Sequence, residues 1–326
     1  MKPGERSLPE VVIKEKQFSQ IAVTVTNLLR ETGHYRASMD AFRDRKVATA
    51  AIDRVRTVIA SEIDAAVVHL ENPEVGGVCV VTPEDQDGSK HAALTRAIIL
   101  MNFTGTSDNP LVLDRLNSTP FSLYGASENI QKEMTATGLH NVSPRKILGY
   151  HNDGALGTGR PYIPQRVGLQ NVLLNYKKPG KFYWLPFSLW EEGEDVLKKY
   201  QHETLRIGTT PITHRDRATG QIIVDRQEVI KAPAVWRGQG GLPTAFLNGE
   251  PLPSSANIFR EIQHSLERNA MRWTSEQTTW RLNVIRNEWG VHARSIMSKP
   301  CAQGAAHSRI MCRMISSKGQ VVPSTD

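Results

Sequence analysis

Cysteine is scarce in this chain, which contains three among 326 residues. Cys79, Cys301 and Cys312 are odd in number and show no Cys-x-x-Cys spacing. This usage argues against a disulfide framework and against a structural zinc site, and it is typical of proteins in a reducing compartment. We therefore expect a cytoplasmic protein without disulfide bonds.

Long apolar runs are also missing. No stretch approaches the roughly 20 apolar residues that a membrane helix needs. The first residues, MKPGERSLPEVVIKEK, contain no apolar signal core, so we expect neither a membrane segment nor a secretory signal. Hydrophobic residues make up 39% of the chain and charged residues 22%, a composition typical of globular rather than disordered proteins.

Positive charge is in excess but is not concentrated. The formal net charge is +7, yet the sequence has no polybasic run and no aromatic and basic motif of the RNP type. We therefore expect no nucleic-acid partner and no membrane partner. A basic cleft that binds a small anionic substrate is at least as natural a use of the excess charge. A homo-oligomer stays open.

The spacing of apolar residues changes along the chain. Residues 17–105 have a mainly helical pattern, whereas 115–318 contain short apolar runs separated by Gly, Pro and Asn, as in β-rich cores. An amphipathic helix is predicted over 255–274, SANIFREIQHSLERNAMRWT. The sequence predicts a single domain over 1–326, mainly β with flanking helices. Its core would be a sandwich or jelly roll with an α-rich N-terminal part packed on it.

A possible metal-binding pair lies in residues 147–158, ILGYHNDGALGT. His151 and Asp153 are two residues apart at the end of a predicted strand, where side chains at i and i+2 point to the same side. Both could therefore reach one metal ion, with Asn152 turned away from it. The pair by itself is equally compatible with a solvated polar turn, so a third ligand is needed.

His292 is the candidate third ligand. It follows LNVIRNEWGV, which the apolar alternation predicts as one strand that ends at the histidine. Two histidines and one carboxylate on one face of an octahedron leave three positions open, as in non-haem Fe(II) oxygenases. His307 competes with His292 on chemical grounds, but it is only two residues from Arg309 and leaves no room for a loop.

Two arginines give a second signal. Arg309 and Arg313 are four residues apart in SRIMCRMIS, which the sequence predicts as the last strand. A buried arginine needs an anionic partner, and its planar guanidinium matches a carboxylate in two-point contact. A dicarboxylate cosubstrate would supply that partner, and an internal ion pair with Asp or Glu is the alternative.

Together these segments resemble the Fe(II)/2-oxoglutarate-dependent dioxygenases of the taurine dioxygenase and clavaminate synthase group. The glutarate hydroxylase branch is the most similar in local sequence. The motifs YHNDG, IRNEWGVHAR and RIMCR carry the resemblance, which covers residues 88–318. It implies a double-stranded β-helix in which His151, Asp153 and His292 hold Fe(II). It also implies that Arg309 holds 2-oxoglutarate and that O2 is the oxidant.

The resemblance also implies roles for other residues, with no catalytic group beyond the metal ligands. Related enzymes often use Ser or Thr to assist 2-oxoglutarate where this chain has GKFYW, so Tyr183 is expected to donate its hydroxyl instead. Arg313 is expected to contact an acidic group of the substrate. Arg294 and Asn152 are further candidates for substrate binding. Asp153 favours hydroxylation or desaturation, because related halogenases lack this carboxylate.

The implied reaction is hydroxylation of a C–H bond, coupled to conversion of 2-oxoglutarate to succinate and CO2. We expect a free amino acid or a related small carboxylate as substrate, in specialised metabolism. Other readings stay open: a desaturase or oxidative cyclase acting on a larger natural-product intermediate, a nucleic-acid oxygenase, a cupin-type enzyme with zinc or manganese, and a jelly-roll binding protein.

Overall fold

The computed structural model describes residues 4–34, 39–84, 90–112, 120–126, 147–156, 161–208, 212–215, 222–226, 229–298, 301 and 309–325. His307, the competing ligand candidate, lies outside these ranges. Within them, no helix combines the length and apolar character needed to cross a bilayer. A strand-rich fold with several helices is confirmed, and the division of the chain into one domain stays a prediction.

The helices of the described residues are α1 (Glu15–Glu31), α2 (Arg45–Arg56), α3 (Ala60–Leu70), α4 (Lys90–Thr104), α5 (Gly193–Tyr200) and α6 (Ala256–Arg268). Gly33, with a φ of 81°, follows the end of α1 as predicted. The helical pattern between Ala41 and Glu71 is divided into α2 and α3. The break falls at Thr57, Val58 and Ile59, three consecutive β-branched residues with reduced helix propensity.

The strands are numbered in chain order. They are β1 (Gly4–Ser7), β2 (Glu10–Val12), β3 (Gly77–Val81), β4 (Ser122–Ala126), β5 (Leu148–His151), β6 (Ala155–Leu156), β7 (Pro161–Pro164), β8 (Val167–Leu174), β9 (Lys181–Pro186), β10 (Thr204–Gly208), β11 (Ile212–Arg215), β12 (Ile222–Arg226), β13 (Val229–Pro233), β14 (Trp236–Arg237), β15 (Pro243–Thr244), β16 (Glu250–Pro251), β17 (Met271–Glu276), β18 (Arg281–Ile285), β19 (Gly290–Arg294), β20 (Arg309–Ile315) and β21 (Gly319–Val321).

Two sheets dominate the fold. A five-stranded sheet has the order β1-β17-β9-β19-β5, and a six-stranded sheet has the order β2-β3-β18-β8-β20-β4. Phe182 and Trp184 of the first sheet share one buried apolar cluster with Cys79, Val167 and Ile285 of the second. Burial of this apolar surface between the sheets is the main force that holds them face to face.

The outer face of the six-stranded sheet is covered by helices. Helix α4 contacts β8, β18 and β20 on one side and α1 and α2 on another. Its segment from Ala97 to Met101 is fully buried. A helix that is apolar all round requires partners on every side, and this explains why α4 lies between the sheet and the outer helices.

Two predicted elements were wrong at boundaries that affect the site. The helix predicted over 255–274 ends at Arg268, because the Asn269 side chain binds the backbone of Glu191 and Met271 there and β17 begins. The single strand predicted before His292 is in fact two strands, β18 and β19, which lie in different sheets. His292 therefore lies in the middle of β19, not at a strand end.

Candidate functional site

Three predicted ligands meet where β5 and β19 pair. His151 and His292 are opposite each other in the antiparallel register, and their ring centroids are 4.2 Å apart. Asp153 lies two residues beyond the end of β5, and its Oδ2 is 3.7 Å from Nε2 of His292. Side chains of directly opposed residues share one face of a sheet. The two imidazoles and the carboxylate therefore converge on the space between the sheets.

The polar atoms of these three side chains are poorly satisfied by protein. Nδ1 of His151 is 2.9 Å from the carbonyl oxygen of Gly149, so Nδ1 is the donor and Nε2 keeps its lone pair. Among the described residues, neither Oδ2 of Asp153 nor Nδ1 of His292 has a hydrogen-bond partner, although both are buried. A buried carboxylate oxygen without a donor is costly, and a cation between the two imidazoles would satisfy it.

The carboxylate of Asp153 leans towards Arg313. Nη1 of Arg313 donates a hydrogen bond to Oδ1 of Asp153, and the guanidinium lies 5.0 Å from the ring centroid of Tyr124. Asp153 is thereby drawn towards Arg313, and within the described residues no three acidic, histidine or cysteine side chains have the spacing of metal ligands. Burial alone would raise the pKa of Asp153, but the charge of Arg313 and the hydrogen bond from it outweigh burial and lower it. Asp153 is therefore ionised.

Burial keeps both imidazoles neutral. It lowers the pKa of His292 to about 3, with a further contribution from His151. It also lowers the pKa of His151, although Asp153 opposes that effect. Neutral imidazole is the form that coordinates metals, so these two side chains are ready for a cation at neutral pH.

Acidification should destabilise the metal-free protein. Unfolded histidine, with a pKa of 6.5, binds a proton that folded His292 does not bind, so stability is lost as the pH falls below that value. From about pH 7 to about pH 5 we expect a loss of about 2 kcal/mol in the free energy of unfolding from this residue. Urea denaturation with a chelator present measures it. His292→Gln should flatten the dependence, and an unchanged slope would contradict the assignment.

Two buried asparagines fix the turn that carries Asp153. Oδ1 of Asn287 accepts from the backbone N–H of Asp153 at 3.0 Å, and Nδ2 of Asn287 donates to the carbonyl of Asp153 at 2.7 Å. Asn152 donates to the carbonyl of Ala245 at 2.7 Å and accepts from the N–H of Leu247 at 3.0 Å. Both ends of the Asn152 amide are thus engaged by backbone. The prediction that Asn152 contacts the substrate is therefore corrected: Asn152 anchors the turn.

Gly154 lies in a space that admits no side chain. A Cβ there would be 2.4 Å from Nδ2 of Asn248 and 2.8 Å from the ring of Phe246. The turn after Asp153 therefore packs directly on the segment that also binds Asn152. This close approach is the physical reason for a glycine in the HNDG motif.

The predicted role of Tyr183 is wrong. Tyr183 pairs with Ala293, whereas His292 pairs with Trp184. Alternate residues of a strand point to opposite faces, so the phenol of Tyr183 lies on the far side of the sheet from His292. Its ring is covered there by the guanidinium of Arg272, 4.1 Å from the ring centroid. The sequence motif GKFYW does not reveal this parity, which depends on the register of β9 against β19.

Two further buried arginines lie on β19 and β20, the strands that carry His292 and Arg313. Arg309 is 8% exposed, and it donates to Oδ1 of Asn171 at 2.8 Å and to Oε1 of Gln277 at 3.2 Å. Arg294, which is 3% exposed, follows His292 by two residues and shares its face of the sheet. Burial and, to a smaller extent, the charge of Arg294 lower the pKa of Arg309 to about 9. Burial also lowers the pKa of Arg294 to about 10.

The positive charge of Arg309 is not neutralised by its partners among the described residues, so the site can bind an anionic ligand. Both of its oxygen partners, Asn171 and Gln277, are neutral amides. In the part of the chain that the structure describes, no carboxylate forms an ion pair with Arg309. The predicted internal ion pair is found instead for Arg313, whose partner is Asp153. No sequence motif marks the two amides, because Asn171 on β8 and Gln277 just after β17 are 138 and 32 residues away from Arg309 in the chain.

The overall fold matches that of solved structures. Asparagine oxygenase (AsnO) aligns with a TM-score of 0.52 at 14% identity, over 94% of this chain and 92% of that chain. A variant of the non-haem iron oxygenase OrfP in complex with (3S)-hydroxy-L-Arg aligns with a TM-score of 0.56 at 14% identity, over 98% and 94%. The chain has the fold of these non-haem iron oxygenases. The predicted resemblance is confirmed at the level of the fold.

A second structure of OrfP, in complex with Fe and alpha-ketoglutaric acid, aligns with the same oxygenase fold. Its TM-score is 0.51 at 13% identity, over 98% of this chain and 95% of that chain. No protein-family model and no curated protein matches the sequence. The comparisons therefore show the fold, and the assignment of a function rests on the side chains between the two sheets.

Proposed function

We propose that the protein is a non-haem Fe(II)/2-oxoglutarate-dependent oxygenase that hydroxylates a C–H bond of a small amino acid or related carboxylate. Its two main sheets would form a double-stranded β-helix. The observation that carries the proposal is the convergence of His151, Asp153 and His292. The buried cation Arg309 lies on the same face of β20 as Arg313, which binds Asp153. A similar structure supports the proposal, that of asparagine oxygenase in complex with Fe(II), (2S,3S)-3-hydroxyasparagine and succinate.

Each residue of the group has a role that follows from its surroundings. His151 and His292 would bind the metal as neutral imidazoles, and Asp153 would supply the one anionic ligand. Because Arg313 already holds Oδ1 of Asp153, the carboxylate would bind the metal through Oδ2 alone. Bound Fe(II) with 2-oxoglutarate would supply the oxidative chemistry, and the protein would position the reactants and exclude water.

Both ends of the Asn152 amide are bound to backbone, whereas Arg313 is bound to Asp153 through Nη1 only. Arg313 is still the cation nearest the proposed metal site. We propose that it also meets an acidic group of the substrate, while its contact with Asp153 persists through Nη1. A zinc or manganese enzyme of another class would use the three ligands but would have no need of Arg309.

Turnover of 2-oxoglutarate tests the proposal. Protein loaded with Fe(II) is supplied with 2-oxoglutarate, O2 and a panel of amino acids that begins with asparagine and arginine, and succinate is measured. We expect one substrate to stimulate succinate formation and to gain one oxygen atom. Tyr183→Phe is the matched control, and it should behave as the wild type because Tyr183 faces away from the site. Folded, iron-loaded protein that never consumes 2-oxoglutarate would overturn the proposal.

Removal of the Asn287 amide should weaken metal binding. In Asn287→Leu the backbone of Asp153 loses two hydrogen bonds, so the affinity for Mn(II) or Co(II) should fall by about 10- to 100-fold, as for other residues that support metal ligands. Isothermal titration calorimetry measures it. Asn269→Leu is the control, because Asn269 makes two similar backbone bonds away from the site. Equal losses of affinity in both variants would contradict a specific role for Asn287.

A further inference from the structure

Arg294 has a position that the predicted role in substrate binding does not explain. We propose that Arg294 is a second binding group for the distal carboxylate of the 2-oxo acid, so that Arg294 and Arg309 hold this carboxylate together. The inference rests on the proposed function of the site. It moves Arg294 from substrate recognition to positioning of the cosubstrate.

The first support is the direction of the Arg294 side chain. Arg294 and His292 are two residues apart on β19 and share a face, which places them about 7 Å apart along the strand. Arg294 pairs with Phe182, whose ring is buried between the two sheets. Arg294 therefore lies on the same face as the metal-binding group, one row further along, and its Nη1 donates to the carbonyl of Ser295 at 3.0 Å. Arg294 would therefore be within one row of a 2-oxo acid bound at the metal that His292 would hold.

The second support is the position of the Arg309 guanidinium, which extends from the six-stranded sheet towards the start of β9. Its Nη2 binds the side chain of Gln277, and the backbone N–H of Gln277 donates to the carbonyl of Gly180 at 3.2 Å, just before β9. On the other side of β9, the N–H of Ser295 donates to the carbonyl of Lys181 at 3.0 Å. Gln277 and Arg294 thus flank the same end of β9. The two guanidiniums approach this end from different sheets.

Electrostatics agree with this geometry. Arg294 is the charge that contributes most, after burial, to the lowered pKa of Arg309. Two buried cations that repel each other carry a cost, and a carboxylate placed between them would offset it. Two guanidinium forks around one carboxylate would supply donors to both of its oxygen atoms.

Selectivity among 2-oxo acids tests the inference. The ligands are 2-oxoglutarate and 2-oxopentanoate, which has the same chain length but ends in a methyl group. Binding to Mn(II)-loaded protein is measured by calorimetry, so no turnover is required. In Arg294→Gln we expect the affinity for 2-oxoglutarate to fall by about 10- to 100-fold, the usual scale for loss of charge-assisted hydrogen bonds. The affinities for 2-oxopentanoate and for Mn(II) should stay unchanged.

Two further variants complete the experiment. Arg294→Lys keeps the charge and loses the fork, so it should weaken 2-oxoglutarate less than Arg294→Gln does, and it serves if the glutamine variant does not fold. Arg272→Gln is the control, because Arg272 lies on the opposite face of the same sheet, against Tyr183. It should leave both ligands unaffected.

The outcomes separate this inference from the proposed function. Equal loss of affinity for both 2-oxo acids in the Arg294 variants would overturn the inference, because it would show an effect through the metal or the fold. Unchanged binding of 2-oxoglutarate together with a raised KM for the amino-acid substrate would also overturn it and would restore Arg294 to the substrate. Wild-type protein that binds Mn(II) but neither 2-oxo acid would overturn the proposed function itself.

Discussion

Replacing Asp153 with asparagine is expected to abolish metal binding and, with it, turnover of 2-oxoglutarate. The carboxylate is the only anionic group among the three converging side chains, and Oδ2 is the oxygen left without a protein partner among the described residues. A neutral amide beside two neutral imidazoles attracts a divalent cation far less. We expect the affinity for Mn(II) to fall by more than about 100-fold, because a ligand is lost rather than one of its supports.

The same variant should be less stable, for a reason unrelated to the metal. Arg313 loses the charge of its partner in Asp153→Asn, and we expect a loss of about 1–3 kcal/mol in the free energy of unfolding of the metal-free protein. Adding Arg313→Gln should restore part of that stability and none of the metal affinity. Urea denaturation and calorimetry measure the two effects separately. Metal affinity that stays at the wild-type level in Asp153→Asn would show that the carboxylate is not a ligand.

Replacing Arg309 with glutamine should have the second largest effect, and its two consequences have opposite signs. Loss of a buried guanidinium should weaken binding of 2-oxoglutarate to Mn(II)-loaded protein by about 100-fold, while Mn(II) itself binds as before. The ligand-free protein should be as stable as the wild type or more stable, because a buried cation with only neutral partners among the described residues has been removed.

Calorimetry with 2-oxoglutarate and thermal unfolding without it test both statements. Arg309→Lys separates charge from shape, since a lysine keeps the charge and lacks the planar fork. We expect it to bind 2-oxoglutarate more weakly than the wild type and better than the glutamine variant. Wild-type affinity for 2-oxoglutarate in Arg309→Gln would contradict the role of Arg309. A large loss of stability would mean that Arg309 serves the fold instead.

The strongly apolar elements could be predicted from the sequence. Helix α4 and strand β3 are found where their continuous apolar runs place them, because both are buried on all sides. The edge strands β1 and β2 were not predicted, since they are short and pair with segments far away in the chain. The break between β18 and β19 was missed because Asn287–Trp289 contains neither glycine nor proline and interrupts an otherwise strand-like run.

Site residues that lie within one short segment could be predicted to be close together, whereas contacts between distant segments could not. The proximity of His151 and Asp153 follows from their spacing, and the structure brings His292 to them by direct pairing of β5 with β19. The faces of Tyr183 and Arg294 depend on register between strands that are far apart in sequence. Tyr183 was therefore assigned to the wrong side of the sheet. The anchoring role of Asn152 was hidden because its partners lie about 95 residues further along the chain.

Anaerobic titration of Fe(II)-loaded protein with 2-oxoglutarate tests the central proposal most directly. A 2-oxo acid chelated to Fe(II) at two histidines and one carboxylate gives a visible metal-to-ligand charge-transfer band. We predict that the wild type develops this band, that Arg309→Gln develops it only at much higher concentrations of 2-oxoglutarate, and that His292→Gln does not develop it. Folded wild-type protein that binds Fe(II) and gives no such band at saturating 2-oxoglutarate would contradict the proposed function.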